Sequence, residues 1–217
     1  MKNHLFILPL VTLAASAFAA EKIDVSFKNY NQAETARNFN NWVKLGDDNK
    51  ILHLKELSPV GPKAPTIRMN LDTLYSVGVY QNDGEMTLTI PDTGLYQSVM
   101  ILDTDGYTPY YFTKPGTYQL KNDSEYLFIA ARTVVKDRHS KESFAAAHKA
   151  QTGLKVTGNG SKSYVMPNFD QKQLHKLTTE YNNKMLDSKI SFVYGDGKMS
   201  VNEEHRTWSN TAGWEEW

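Results

Sequence analysis

The chain has 217 residues, with 24 basic and 24 acidic side chains and no cysteine. The balanced charge and the lack of any long basic run exclude an ordinary nucleic-acid-binding surface, because affinity for a phosphate backbone needs clustered lysine and arginine. Without cysteine, disulfide bonds, thiolate nucleophiles and thiolate metal ligands are also excluded. The length is sufficient for one sizeable hydrophobic core.

The N-terminal segment predicts a secretory signal. Lys2 precedes an apolar run that starts at Leu5, and small residues follow as far as Ala19. The run has about 11 residues, against roughly 20 for a membrane-spanning helix, and no later stretch approaches that length. We therefore expect residues 1–19 to be a signal peptide and 20–217 to be one exported domain without a membrane span. An exported chain without disulfide bonds suits the bacterial periplasm.

The first predicted element of the exported part is a helix over residues 31–45. Asn31 and Glu34 fit a capping box, and Gly46 suits the helix end. The segment 58–65, SPVGPKAP, has three prolines and one glycine and cannot continue a helix.

Residues 66–135 have the pattern of β-strands, and residues 140–188 return to helical periodicity. The β region contains short β-branched and aromatic runs separated by turn signals such as Asp83-Gly84. This order predicts an α+β fold, with an antiparallel β-sandwich core and flanking helices at both ends.

Two polar motifs within the β region resemble the domain of unknown function 1254 family. They lie in IRMNLDTLYSVGVY (67–80) and TLTIPDTGLYQSVMILDTDGYTPYYF (87–112). The matching residues are Asn70, Asp72, Thr73, Tyr75, Pro91, Asp92, Thr93, Tyr96, Ser98 and Asp103. The resemblance covers nearly all of the exported part. It implies a jelly-roll-like sandwich with added helices and an envelope location, but no settled catalytic mechanism.

The C-terminal segment departs from the family pattern. Relatives commonly continue from a Gly-Trp-Gly-Gly segment into a second β domain, whereas Trp214 is followed here by Glu215. The resemblance therefore implies either a naturally short member or one from which the usual second β domain is missing. A tryptophan cluster near this point is either a surface for a partner β domain or subunit, or part of the chain's own core. Its members are Trp208, Trp214 and Trp217.

The polar start of the strand within 68–76 is the main candidate site. If this segment is extended, Arg68, Asn70 and Asp72 point to one side. They form either a site for a polar ligand or a structural network that fixes the strand. The candidate ligand-binding residues are Arg68, Asn70, Asp72, Tyr75, Tyr96 and Asp103.

The favoured function is non-covalent binding, either of a polar small molecule or of a partner β domain. One alternative is a hydrolase-like enzyme that uses clustered aspartates as acid and base. The other is a structural envelope component. The sequence has no zincin histidine pair and no nucleophile elbow, so we expect no metal and no cofactor, and we assign no catalytic residue. The aspartates considered are Asp72, Asp92, Asp103 and Asp105.

Overall fold

The computed structural model of the protein describes residues 21–59 and 70–186. These residues form two antiparallel sheets and three α-helices, which confirms the predicted α+β class. A short 3-10 helix at Phe27–Asn29 leads into the first α-helix. The helices are α1 (Tyr30–Leu45), α2 (Lys141–Gly153) and α3 (Gln171–Leu186). The strands are β1 (Leu52–His53), β2 (Thr73–Gln81), β3 (Thr87–Ile90), β4 (Gln97–Leu102), β5 (Tyr110–Phe112), β6 (Gly116–Gln119), β7 (Tyr126–Val134) and β8 (Lys155–Thr157).

The two sheets enclose the largest hydrophobic core. The five-stranded sheet has the order β1-β2-β7-β4-β5, and the three-stranded sheet has the order β6-β3-β8. Leu88 and Ile90 of the smaller sheet pack with Val99, Ile101 and Ile129 of the larger one. The described strands do not join these sheets into a closed jelly-roll sandwich.

The opposite face of the five-stranded sheet, which we call the outer face, is covered only in part by the described helices. Because side chains alternate along a strand, every second residue of β2, β7 and β4 projects from this face. Phe39 and Trp42 of α1 pack there against Val79 and Phe128. We call this part the covered half. The open half lies at the other end of the strands, around Arg132, and no described helix packs on it.

The start of α1 differs from the sequence prediction. The helix begins at Tyr30, so Asn31 lies inside the first turn and does not cap it. The carboxylate of Glu34 accepts a hydrogen bond from Thr178 of α3 at 3.0 Å. Arg37 forms an ion pair with it at 2.7 Å, although burial still raises the pKa of Glu34. Glu34, predicted as the second residue of the capping box, therefore links α1 to α3.

Part of the sequence predictions falls on residues that the structure does not describe. These are the signal peptide 1–19, Arg68, and the tryptophans Trp208, Trp214 and Trp217. Within the described ranges, no helix has the length and apolar character that a membrane span requires.

Candidate functional site

The open half of the outer face contains a row of polar side chains. Tyr75 on β2 and Ser98 on β4 are both directly opposite Arg132 on β7. Because neighbouring strands lie roughly 4.8 Å apart, the three side chains project side by side from the same surface. The row is partly covered, since Tyr75 and Arg132 are half-buried and Ser98 is buried.

Two exposed tyrosines complete this group. Tyr96 precedes β4 and is 54% exposed, and Tyr111 on β5 is 52% exposed. The Tyr111 hydroxyl accepts a hydrogen bond from Arg132 Nη2 at 3.5 Å. Hydrogen bonds from Ser98 and Tyr96, followed by the nearby Arg132 charge, lower the pKa of Tyr111. Hydrogen bonding to Tyr111 raises the pKa of Tyr96. We call the five residues the Tyr–Arg cluster: Tyr75, Tyr96, Ser98, Tyr111 and Arg132.

The guanidinium of Arg132 has no carboxylate partner in the described part of the chain, where ion pairs join other residues. Its hydrogen bond to Tyr111 is long and uses one of the five N–H donors that an arginine offers. Arg37, by contrast, is paired with Glu34 at 2.7 Å. A half-buried cation with unused donors is suited to bind an oxyanion.

The predicted residues at the start of β2 have different roles. Tyr75 belongs to the Tyr–Arg cluster, and its hydroxyl accepts a hydrogen bond from the Asn70 backbone N–H at 2.9 Å. Asp72 is exposed, and its carbonyl accepts a hydrogen bond from Val135 N at 2.9 Å. The strand begins only at Thr73, after a bend. The alternation that placed Asn70 and Asp72 on one face therefore does not apply to them.

Asp103 lies far from the cluster, at the other end of β4 from Tyr96. The six-residue strand between them spans roughly 20 Å. Asp103 Oδ1 accepts hydrogen bonds from the backbone N–H groups of Asp105 and Tyr107, at 3.0 and 2.9 Å, and so closes the turn. The structure therefore brings Tyr75 and Tyr96 together but not Asp103.

The aspartates considered for a hydrolase-like enzyme also lie at both ends of the sheet. Asp72 lies at the Arg132 end of the sheet, whereas Asp103 and Asp105 share the turn at the opposite end. The described residues also contain no group of three or more histidines, aspartates and glutamates that could hold a metal ion. The separation of Asp72 from Asp103 and Asp105 gives no support to a joint acid–base role for these three aspartates.

A serine–histidine contact lies on the inner side of the same sheet. His53 Nδ1 is 2.8 Å from Ser76 Oγ, but Ser76 is only 1% exposed. Gln151 donates a hydrogen bond to the same oxygen at 3.2 Å and to the Tyr75 carbonyl at 3.0 Å. Burial lowers the pKa of His53, as does Lys55. Because no substrate can reach Ser76, this network joins β1, β2 and α2 and is not a nucleophilic site.

Asp47 is a second buried polar group outside the cluster. Its side chain is inaccessible, and neither carboxyl oxygen accepts a hydrogen bond within the described residues. Its backbone carbonyl accepts a hydrogen bond from Val79 N at 3.0 Å, which places it against β2. Burial raises the pKa of Asp47 to about 7. The protonated form is therefore the one that this position favours.

Sequence reasoning did not identify Arg132 or Tyr111 as site residues. Arg132 lies in the run EYLFIAARTVV, within the region 66–135 that the sequence predicts to form β-strands. A single arginine within nine strand residues was a usable signal, because charged side chains are costly inside a sheet unless they face a partner or water. The pairing of β7 with both β2 and β4 was needed to place it beside the tyrosines.

Comparisons with known proteins add little to this geometry. No family model matches the chain, and no curated protein matches it. Among solved structures, the chain is similar to the VPA0106 protein from Vibrio parahaemolyticus, with 17% sequence identity and a TM-score of 0.46. The match covers 85% of this chain and 54% of that chain, so this chain spans about half the length of its structural neighbour. The site is therefore defined by this chain's own residues.

Proposed function

We propose that the protein binds, without covalent chemistry, a small polar molecule that carries a carboxylate or another oxyanion. The observation that carries this proposal is the half-buried Arg132, which has no ion-pair partner among the described residues and lies between tyrosine side chains. A planar guanidinium can donate two parallel hydrogen bonds to an oxyanion. The separated aspartates give no comparable support for an enzyme.

The tyrosines supply the rest of the recognition. Tyr96 and Tyr111 present exposed aromatic surface next to Arg132, on the side of β4 and β5. Tyr75 accepts its hydrogen bond from Asn70, and its own O–H has no acceptor among the described residues and can donate to a ligand. The Tyr111 oxygen accepts bonds from the cluster and fixes the Arg132 side chain. The cluster thus offers a charged donor, a neutral donor and two apolar ring surfaces.

We further propose that the protein belongs to the domain of unknown function 1254 family and is exported to the periplasm through residues 1–19. Three residues of the family pattern, Tyr75, Tyr96 and Ser98, lie in the Tyr–Arg cluster, which supports a shared binding face. The core between the two antiparallel sheets supports a sandwich arrangement, and a jelly-roll-like topology is part of this proposal.

Native mass spectrometry of the mature protein recovered from its own cell envelope tests the binding function. We expect an added mass of a few hundred daltons in the native chain, its loss in Arg132→Ala, and its retention in Arg138→Ala. Arg138 is an exposed arginine and serves as the matched control. An added mass that persists in Arg132→Ala contradicts the assignment of the site. A bare protein in all three samples favours a structural component, and a bound protein chain favours a partner β domain.

A further inference from the structure

An apolar row of side chains lies beside Arg132 on the outer face. Met100 on β4 is directly opposite both Ala130 on β7 and Tyr111 on β5, so these three project from the same surface. This row is two residues along the strands from Arg132, a distance of roughly 7 Å. We call Ala130, Met100 and the ring of Tyr111 the apolar row.

The apolar row is open to solvent in part. Ala130 and Met100 are half-buried, and Tyr111 is 52% exposed. Ala130 has the shortest side chain among the outward residues of β7, which leaves the surface low between Phe128 and Arg132. A ligand can therefore bury further apolar area here, and burial of apolar area favours binding.

The side chain of Arg132 is directed towards this row. Its Nη2 donates the 3.5 Å hydrogen bond to the Tyr111 hydroxyl, and β4 lies between the strands of these two residues. The bond therefore carries the guanidinium across β4, where Ser98 and Met100 project from the outer face. An anion held by the guanidinium lies close to the apolar row.

The charge of the surface is also limited. Among the outward residues of the described strands β2, β4, β5 and β7, only Arg132 carries a charge. One guanidinium matches one negative charge. The second charge of a dianion would lie against half-buried apolar side chains, which is costly because no partner replaces its hydration.

From this arrangement we propose that the ligand is a monocarboxylic acid with an apolar body about the size of one ring. The inference rests on the proposed oxyanion function and specifies its substrate class. The carboxylate accepts hydrogen bonds from Arg132, and the body lies on Ala130 and Met100 with one side against the Tyr111 ring. Short acids without a body and dianions bind less well.

Sodium benzoate, sodium acetate and sodium phosphate test this proposal in NMR titrations of the full chain at matched ionic strength and pH 8. The Arg132 Nε–H signal reports on the anion, and the Met100 ε-methyl signal reports on the apolar body. We expect benzoate to shift both signals saturably and to bind at least about tenfold more tightly than acetate, because its ring buries apolar area. Phosphate, a dianion at this pH, should bind more weakly than benzoate.

The outcomes separate this inference from the function on which it rests. If Arg132 responds to acetate and benzoate with equal affinity, or to phosphate with the highest affinity, the apolar body is wrong while the oxyanion site stands. If Arg132 responds to none of the three anions, the oxyanion site itself is wrong, and this inference fails with it.

Two methionine substitutions locate the contact with the apolar body. Met100→Ala removes apolar surface from the row, and we expect the benzoate-to-acetate affinity ratio to fall about threefold. Met166→Ala is the matched control, since Met166 is also half-buried but packs with Phe39 and Phe128 in the covered half, and the ratio should not change. An unchanged ratio in Met100→Ala, or an equal fall in both variants, contradicts the proposed contact.

Discussion

The two halves of the outer face are built on the same strands but have different side chains. Along β7, the outward residues change from Phe128 to Ala130 to Arg132 in steps of two. Phe128 is buried under α1, whereas Arg132 is half-buried with no helix above it within the described residues. If the open half were only core that lost its cover, an aliphatic side chain would be expected at 132. The arginine indicates a surface that meets a polar molecule.

The region where helices pack and the open half also differ in whether a charged side chain has a partner of opposite charge. Where α1 packs against α3, the Glu34 carboxylate is matched by Arg37 at 2.7 Å and by a hydrogen bond from Thr178. In the open half, the one hydrogen bond of Arg132 within the described residues is long and goes to the neutral Tyr111. Among the described residues, a charged side chain is thus paired where helices pack, whereas Arg132 has no ion-pair partner where the sheet is open. Substitutions in each region test this difference between a packed region and an open surface.

Removal of the aromatic side chain at the centre of the covered half gives the largest expected effect. Phe39 is 1% exposed and lies with its ring centre 5.6 Å from that of Phe128. Phe39→Ala should lower the free energy of unfolding by about 3–5 kcal/mol, because it removes buried area and leaves a cavity. Urea-induced unfolding measures this change. Phe39→Leu is the milder variant if the alanine variant does not fold.

Phe27→Ala is the matched control for this prediction. Phe27 is 43% exposed, so its removal should cost less than about 1 kcal/mol. Equal losses in Phe27→Ala and Phe39→Ala contradict the description of the covered half as a packed core.

The buried carboxyl of Asp47 predicts the next effect, a stability that depends on pH. The pKa is about 7 in the folded chain, against 3.8 when the group is free in water. Between these two values the unfolded chain releases the proton and the folded chain keeps it, so stability falls as pH rises. The total loss is on the order of 4 kcal/mol, complete above pH 7.

Asp47→Asn removes this slope, because asparagine does not ionise. Denaturant unfolding at several pH values between 4 and 8 should show the variant gaining stability relative to the native chain as pH increases. Asp92→Asn, an exposed aspartate, is the control and should show no such gain. Parallel pH curves for Asp47→Asn and the native chain contradict the assignment.

The sequence predicted the positions of the helices and strands better than it predicted which strands pair with one another. The helix expected at 31–45 is found at Tyr30–Leu45, since a local period and a following glycine with positive φ define it. The run LYQSVMIL contains β4. By contrast, β4 pairs with β7, which begins over twenty residues later, and no local pattern specifies such a partner. The small strands β1 and β8 are too short to give a periodic signal.

Because the sequence does not specify strand pairing, the site was also predicted only in part. Tyr75 and Tyr96 were selected from motifs and lie together, but Arg132 comes from a third strand and was missed. Asp103 was selected with them, although its carboxylate closes a turn at the far end of β4. A sequence motif identifies unusual residues, whereas strand order decides which of them share a surface.

Replacement of Arg132 by lysine tests the open half with a moderate expected effect. Lysine keeps the charge but loses the planar pair of donors, so binding of the copurified ligand should weaken about tenfold. Stability should change by less than about 0.5 kcal/mol, because the side chain is only half-buried and has no ion-pair partner among described residues. Calorimetric titration measures the first quantity and urea unfolding the second. Arg138→Lys should alter neither.

The smallest effect concerns the hydroxyl of Tyr75. In Tyr75→Phe, the Asn70 backbone N–H loses its acceptor, which lies at 2.9 Å. We expect the free energy of unfolding to fall by about 1 kcal/mol and hydrogen exchange at Asn70 to accelerate. Exchange monitored by NMR reports on this bond directly. An unchanged exchange rate at Asn70 excludes Tyr75 as the residue that holds the segment before β2.

The most direct test of the central claim is an NMR titration that follows the side-chain Nε–H signals of the arginines. Sodium benzoate and sodium phosphate supply the two oxyanions, and sodium chloride at matched ionic strength supplies the reference. We expect a saturable shift of the Arg132 signal with at least one oxyanion, and no comparable shift for Arg138 or the paired Arg37. If Arg132 responds no more than Arg138, the open half of the outer face is not an oxyanion-binding site.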